Sequence, residues 1–340
     1  MKSAKKSYII GQKGAFKIKK FTVLLIVLFM ASAAATAISF NRIIYPIKTK
    51  DASGYILEQK QPPARIISAD PSITEILFAL NLKDKIVGVT VNCDYPEDAK
   101  KIEKIGKDKL DIKKIADLKP DLVLVNLDTH RSDMEKLRLI MMPPASGEEQ
   151  PTTLEVFAID PHTLKDIYNT ISLIGTVTNK EHAAYSLLQR MKRRIEWVEA
   201  RAKKEKRLRG VVVVKKRPLT VAGEGTYLHD LLIASNFIDI SPRGEGIYPK
   251  MKRDDIKRAD PEVIITSKDV AKNPRDIYNN RDFRKTSAGK NKKAISIDAD
   301  VFLRPGPRIV QALEEMASFA FGWPLQETQD RGKEIEQIKE

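Results

Sequence analysis

Helical periodicity is most sustained over residues 178–210. Apolar residues recur there at Ala184, Leu187, Leu188, Met191, Ile195, Val198 and Ala202, the three-and-four spacing of one helix face. Thr178 and Glu181 stand three apart as a capping box. At the other end, Lys203, Lys204, Lys206, Arg207 and Arg209 precede Gly210, a residue suited to the left-handed position after a helix. No glycine or proline interrupts the stretch, so the pattern predicts one helix of roughly 45 Å at about 1.5 Å per residue. Strand-and-helix patterns flank it on both sides, which predicts a rigid helix joining two lobes. The alternative is a long surface helix within a single domain.

Before the helix, a hairpin-like segment (43–58) leads to a short buried strand at Ile66-Ile67. The chain then turns at Asp70-Pro71 into a helix capped by Ser72, with Glu75 completing the box. A second strand covers 86–91. A helix over 111–118 passes through Pro120 into 121–126, an apolar run of the kind buried on both faces of a parallel sheet. A loop is expected at 140–150, a strand at 156–159, and a helix starting from Asp160-Pro-His-Thr-Leu. After the helix, a strand at 211–214 opens a new series, and 223–227 forms a turn and a helix start. The phrase Asp255-Ile-Lys-Arg-Ala-Asp-Pro-Glu-Val-Ile-Ile265 repeats the earlier Asp111–Leu124 phrase, which supports two halves of similar build. A last strand at 294–297, a loop at 302–308 and a terminal helix at 309–321 follow. The domain layout expected is a leader (1–40), a first α/β lobe (41–177), the connecting helix (178–210), a second lobe (211–323) and a frayed polar tail (324–340).

A chain of 340 residues has room for two cores, and 42% hydrophobic with 31% charged residues is a globular balance. Of the net +15, seven charges are lysines before residue 21, which leaves +8 for the remainder. With no aromatic-interleaved basic motif, a solvated basic face is expected rather than a nucleic-acid groove. Residues 21–40 carry no charge, follow Lys17, Lys19 and Lys20, and offer Ala-x-Ala sites ending at Ala35 or Ala37. This is a cleaved signal peptide or an uncleaved membrane anchor, and either places the body outside the cytoplasm. There is no Leu-x-x-Cys motif for a lipid anchor. The single Cys93 excludes an internal disulfide and is expected to be a small packed residue. No Gly-x-Ser-x-Gly, His-Glu-x-x-His or phosphate-loop motif is present, so no enzyme is expected.

In open α/β sheets, ligands lie beyond the carboxyl ends of the strands. The loops expected there contribute Ser72, Asp94, Tyr95 and His130 from the first half, and Arg217, Tyr227, Tyr248, Phe302 and Arg304 from the second. The tyrosines and Phe302 would wall a large ligand. Arg304 would either anchor an anionic or amide group or hold the Pro-Gly-Pro loop by a salt bridge. Among the four histidines, His130 is best placed at the cleft, His162 starts a helix, and His182 and His229 are surface residues near helix N-termini. No metal centre or cofactor is expected.

Several phrases together resemble the extracytoplasmic solute-binding proteins of ABC importers for iron complexes and vitamin B12. They are Arg65-Ile-Ile-Ser-x-x-Pro-Ser-x-Thr-Glu-Ile-Leu-Phe-Ala-Leu80, Val87-Gly-Val-Thr90 with Cys93-Asp-Tyr-Pro96, and Leu118-Lys-Pro-Asp-Leu-Val123. Thr163-Leu-x-Asp-Ile-Tyr168, Ala259-Asp-Pro-Glu-Val-Ile264 and Leu303-Arg-Pro-Gly-Pro-Arg308 complete the set, in order over residues 45–323. The resemblance implies two Rossmann-like lobes with central, mostly parallel sheets joined by a single long helix, the build of class III periplasmic binding proteins. It also implies a monomer that holds a corrinoid or iron chelate in the cleft and docks on a permease with its ATPase. A haem or siderophore receptor is the alternative within the class; a membrane-anchored sensor or scaffold is the alternative outside it. The resemblance implies docking through an acidic residue seven before the helix–strand proline of each lobe. Asp254 fits in the second lobe. In the first, that position is Lys113, with Asp111 nearby.

Overall fold

The computed structural model describes residues 45–142 and 152–337. The expected leader, most of the 140–150 loop and the last three residues lie outside them. No helix among the described residues is long and apolar enough to cross a membrane.

The first half begins with the hairpin of β1 (Ile47–Lys50) and β2 (Ile56–Gln59). It continues through β3 (Ile66–Ser68), α1 (Pro71–Ala79), β4 (Ile86–Val89), α2 (Ile112–Asp117), β5 (Leu122–Asn126) and α3 (Leu127–Leu137). After the short pair β6 (Met141–Met142) and β7 (Thr152–Thr153) come β8 (Glu155–Ile159) and α4 (Leu164–Val177). The four strands β4-β3-β5-β8 form one parallel sheet. Along β5, Leu122 and Leu124 face one apolar cluster while Val123 and Val125 face another. This is the period-2 alternation of a strand covered on both sides.

The chain then passes through α5 (Glu181–Ala202) to β9 (Leu208–Lys216) and β10 (Leu219–Val221). It continues as α6 (Tyr227–Ala234), β11 (Phe237–Asp239), α7 (Arg253–Ala259), β12 (Val263–Ser267), α8 (Arg275–Tyr278) and α9 (Ser287–Lys290). Last come β13 (Ala294–Ile297), α10 (Ala299–Phe302), α11 (Ile309–Phe321) and α12 (Leu325–Gln337). The second sheet has the order β10-β9-β12-β13, with β11 also paired to β9; only β10 runs antiparallel. The repeated helix–proline–strand phrase leads into β5 in one half and β12 in the other, and both are interior strands. The described residues pack as one compact unit. One apolar cluster runs from Leu122 and Phe157 through Leu187, Met191, Ile195 and Val198 of α5 to Val212 and Ile265 of the second sheet.

The long helix is shorter than its sequence pattern suggests. It has 22 residues, about 33 Å of rise. Thr178 does not cap it: its hydroxyl donates to the Ile174 carbonyl and closes α4, while Lys180 stands at the N-cap without a side-chain bond. Gly210 lies inside β9, where the Phe237 ring packs so closely that a Cβ would come within 2.6 Å of it. Pairing of β9 with β11 begins at Leu208, so sheet hydrogen bonds claim the backbone that helical continuation would have used. The terminal residues after Trp323 also differ from a frayed tail. They form α12, whose Thr328 is fully buried and accepts from Ser318, while Arg201 of α5 stacks over the Trp323 ring at 4.3 Å.

Glu155 sits half-buried at the start of β8, and one carboxylate oxygen has no hydrogen-bond partner. Burial, and then the charge of Glu58, push its carboxyl up to about 7 from an ordinary 4.5. The folded state therefore resists ionisation. Its contribution to stability is full below about pH 4.5 and is lost as pH rises through about 7. In Glu155→Gln this slope should flatten, with a higher thermal midpoint at pH 8 than the parent. Equal slopes for parent and variant would assign the pH dependence to other groups.

Candidate functional site

The carboxyl ends of both sheets meet. From β3 the chain reaches Asp70, which caps α1 by accepting from the Ser72 backbone N–H at 2.7 Å and from the Ser72 hydroxyl. Ser72 is thus a capped residue rather than the cap. It is fully buried, with the Gly306 backbone lying against it. Glu75, released from any capping role, points across to the second half. Its carboxylate accepts two bonds from Arg308, at 2.9 and 2.6 Å, and a third from Arg304 at 3.3 Å.

Arg304 also donates to Asp94 at 2.8 Å and to the Asn92 carbonyl at 3.3 Å, and pairs with Asp300 at 2.6 Å. Burial alone would push the Asp94 carboxyl up; the Arg304 guanidinium outweighs it and holds the group below the ordinary carboxylate range. Arg308 lies 3.9 Å over the half-exposed Tyr95 ring, a cation–π contact. Of the two roles open to Arg304 in the sequence, the geometry displays the salt bridge. Its neighbour Phe302 is 0% exposed, and only its carbonyl is in play, accepting from the Tyr227 hydroxyl at 3.3 Å. Phe302 therefore offers no wall to a cleft, because α10 turns its ring into the core.

A second group lies where β5 and β8 end. Asn126 caps α3 by accepting from the Asp128 N–H, which leaves the Asp128 carboxylate exposed. His162 Nε2 is 3.1 Å from Asp160 and 3.8 Å from Asp128. The ligand atoms of Asp128, Asp160 and His162 lie within 4.8 Å of one another, and oxygen with imidazole donors suit a divalent first-row metal. The His162 carbonyl accepts the Tyr227 N–H at 2.6 Å, and Asp230 accepts the Leu164 N–H at 2.8 Å, so this group is tied to the second half. Tyr248 stands half-exposed beside it; burial, then the Asp128 charge, raise its hydroxyl pKa.

Other sequence candidates lie elsewhere. His130 is 3% exposed at a kink in α3, with Nδ1 turned toward Asp133 at 3.8 Å, so it faces the lobe interior. His229 is not a free surface residue, since its Nδ1 meets Asp239 at 2.7 Å. Cys93 is buried between the Thr74 and Thr90 hydroxyls, and burial raises its thiol pKa. Arg217, at the β9–β10 turn, lines a separate surface cavity. Of the docking candidates, Asp254 is exposed and paired with Lys257 at 3.1 Å. Asp111 caps α2 by accepting from the Lys114 N–H, beside an exposed Lys113. The loops 126–130 and 160–162 are expected at the strand ends from sequence, but Glu75, Arg308, Asp128, Asp160 and His162 are not among the expected site residues. The only local signal for the last three was that both loops follow buried strands.

A model of the family described as periplasmic binding protein matches residues 66–301. An uncharacterised ABC transporter substrate-binding lipoprotein of Bacillus subtilis is 28% identical over 279 residues, 81% of this chain and 85% of that protein. The vitamin B12-binding protein of Vibrio cholerae is 23% identical over 270 residues, 78% of this chain and 91% of the relative. Among solved structures, a possible iron-binding periplasmic solute-binding protein from Staphylococcus epidermidis superposes with a TM-score of 0.66. It is 25% identical, covering 77% of this chain and all of the other.

Proposed function

Because the chain belongs to the periplasmic binding protein family, we propose that it is the substrate-binding component of an ABC importer for a corrinoid or an iron complex. The observation that carries this reading is the convergence of the two sheets' carboxyl ends. The Arg304–Arg308–Glu75 cluster ties them on one side, and Tyr227, Tyr248 and His162 meet on the other. Such a cleft is suited to binding and release. The Tyr248 hydroxyl, neutral at physiological pH as an ordinary phenol is, can donate a hydrogen bond to a carbonyl- or amide-rimmed ligand.

A specific observation favours the iron-complex branch. Asp128, Asp160 and His162 offer hard oxygens and one imidazole at the lip beside Tyr248, the donor set for a ferric or ferrous centre left partly uncovered by its chelator. A corrinoid, whose cobalt is already enclosed by its ring, makes less use of them. The B12-binding relative and the possible iron-binding structure support both branches equally.

Delivery would require this chain to dock, outside the cytoplasm, on a permease that is coupled to an ATPase, consistent with the apolar stretch at 21–40. The second lobe offers Asp254, while the first offers the exposed Lys113, so the permease surface facing the first lobe should be acidic. Calorimetric titration of the purified protein with cobalamin, cobinamide, haem and ferric chelates tests the reading. One of them should bind with a Kd of about 1 μM or tighter, roughly −8 kcal/mol. Failure of all four to bind at millimolar concentration would remove this cargo class.

A further inference from the structure

The β9–β10 turn, the start of α7 and the segment after α8 line an open surface cavity of about 920 Å³. None of the residues at the cleft lines it. Six cations do, Lys216, Arg217, Lys252, Arg253, Lys257 and Arg281, against only two carboxylates. Both carboxylates are already taken: Asp282 pairs with Arg253 at 2.9 Å and faces Arg281 at 3.8 Å, and Asp254 pairs with Lys257 at 3.1 Å. Lys216, Arg217 and Lys252 form no ion pair among the described residues.

The walls are held rigidly. Thr220 bridges to Lys250, the Met251 N–H donates to the Leu219 carbonyl at 3.0 Å, and the Arg253–Asp282 pair fastens the third segment. Three cations without an ion pair among the described residues line the same depression, and a concave surface of one sign focuses its field inward. Arg217 presents a planar fork that matches two oxygens of a tetrahedral anion, and the lysines act as point charges beside it. The apolar lining is limited to Pro218, Leu219 and Met251, which favours a compact charged group over a broad protein surface.

We propose that this cavity is an anion site that takes a phosphate-bearing group, either the headgroup of an anionic phospholipid or a free phosphate ester. The site is independent of the cargo cleft and stands whether or not the transport reading does.

The test titrates the full chain with pyrophosphate at low ionic strength, by calorimetry and by thermal unfolding. One equivalent should bind and raise the midpoint, because a ligand held only by the folded state stabilises it. In the double variant Arg217→Glu, Lys252→Glu, affinity should fall about 100-fold, as expected for losing two charge-assisted contacts of roughly 1.5 kcal/mol or more each. A charge-matched control on the first half, Lys100→Glu with Lys101→Glu, should leave affinity unchanged. Phosphatidylglycerol vesicles retained in a pyrophosphate-competed manner would identify a lipid headgroup; binding of pyrophosphate without such retention would identify a free phosphate ester. The proposal is overturned if pyrophosphate does not bind, or if the control loses as much affinity as the double variant. It is overturned too if polyglutamate of equal charge displaces pyrophosphate as strongly, which would make the occupant an acidic polypeptide.

Discussion

Glu75→Ala is expected to lower the unfolding free energy by about 3–5 kcal/mol, the loss typical when one partner of a buried ion pair is removed. The carboxylate is 4% exposed and accepts from two guanidinium groups whose side chains are only 13% and 14% exposed. Its removal leaves both arginines desolvated without their shared counter-charge. Asp94 and Asp300 would still hold Arg304, whereas Arg308 would keep only the Asp300 carbonyl and the Tyr95 ring. Arg308→Met should therefore cost less than Glu75→Ala, because it removes one charge and leaves Arg304 to satisfy Glu75. Urea unfolding of the two variants decides the matter. A loss below about 1 kcal/mol for Glu75→Ala is the behaviour of a solvent-exposed pair and would mean that water reaches the cluster. Because these residues join α1 to the segment before α11, the variant should also expose lobe-junction amides to faster hydrogen exchange.

The second large effect is expected at Glu314. It is fully buried on α11 and forks onto Arg194 of α5, with bonds of 2.9 and 2.7 Å. Glu314→Ala should again cost about 3–5 kcal/mol, since it takes a carboxylate counter-charge from a buried guanidinium on the seam of the long helix. Replacing both partners by hydrocarbon, as Arg194→Met with Glu314→Leu, should recover most of that loss, because the desolvation of both charges disappears with them. A double variant no more stable than Glu314→Ala would show that the pair contributes more than the cost of burying it. The measurement is a double-mutant cycle in denaturant, completed with Arg194→Met alone and Glu314→Leu alone.

Much of the architecture was legible along the chain. The seam Ala184, Leu187, Met191, Ile195, Val198 and Ala202 is buried as its spacing predicts, and the 121–126 run is the interior strand it resembles. Arg194 was not legible, because a lone arginine at a helical position carries no mark of whether an acid waits opposite. The capping boxes failed for a related reason. Thr178 and Glu181 have the right spacing, but the preceding helix ends where Thr178 can reach the Ile174 carbonyl, and that nearer acceptor wins. Glu75 has the spacing of a box with Ser72, yet Asp70 caps first and the arginines claim the glutamate. Gly210 illustrates the same competition, with strand pairing and the Phe237 ring displacing a helix end.

By itself the sequence determined the two parallel α/β halves, the helix between them, the loops at the strand ends and the likeness to solute receptors. The strand and helix patterns follow from periodicities and turn chemistry that act within a few residues, whereas the likeness rests on matching phrases such as Leu303-Arg-Pro-Gly-Pro-Arg308. Tertiary structure alone decided which charges meet: Glu75 with Arg308, 233 positions apart, and Arg194 with Glu314, 120 apart. It also turned Phe302 and His130 inward and gathered Asp128, Asp160 and His162. Such pairings depend on how two sheets are set against each other in space, and no local spacing rule encodes that.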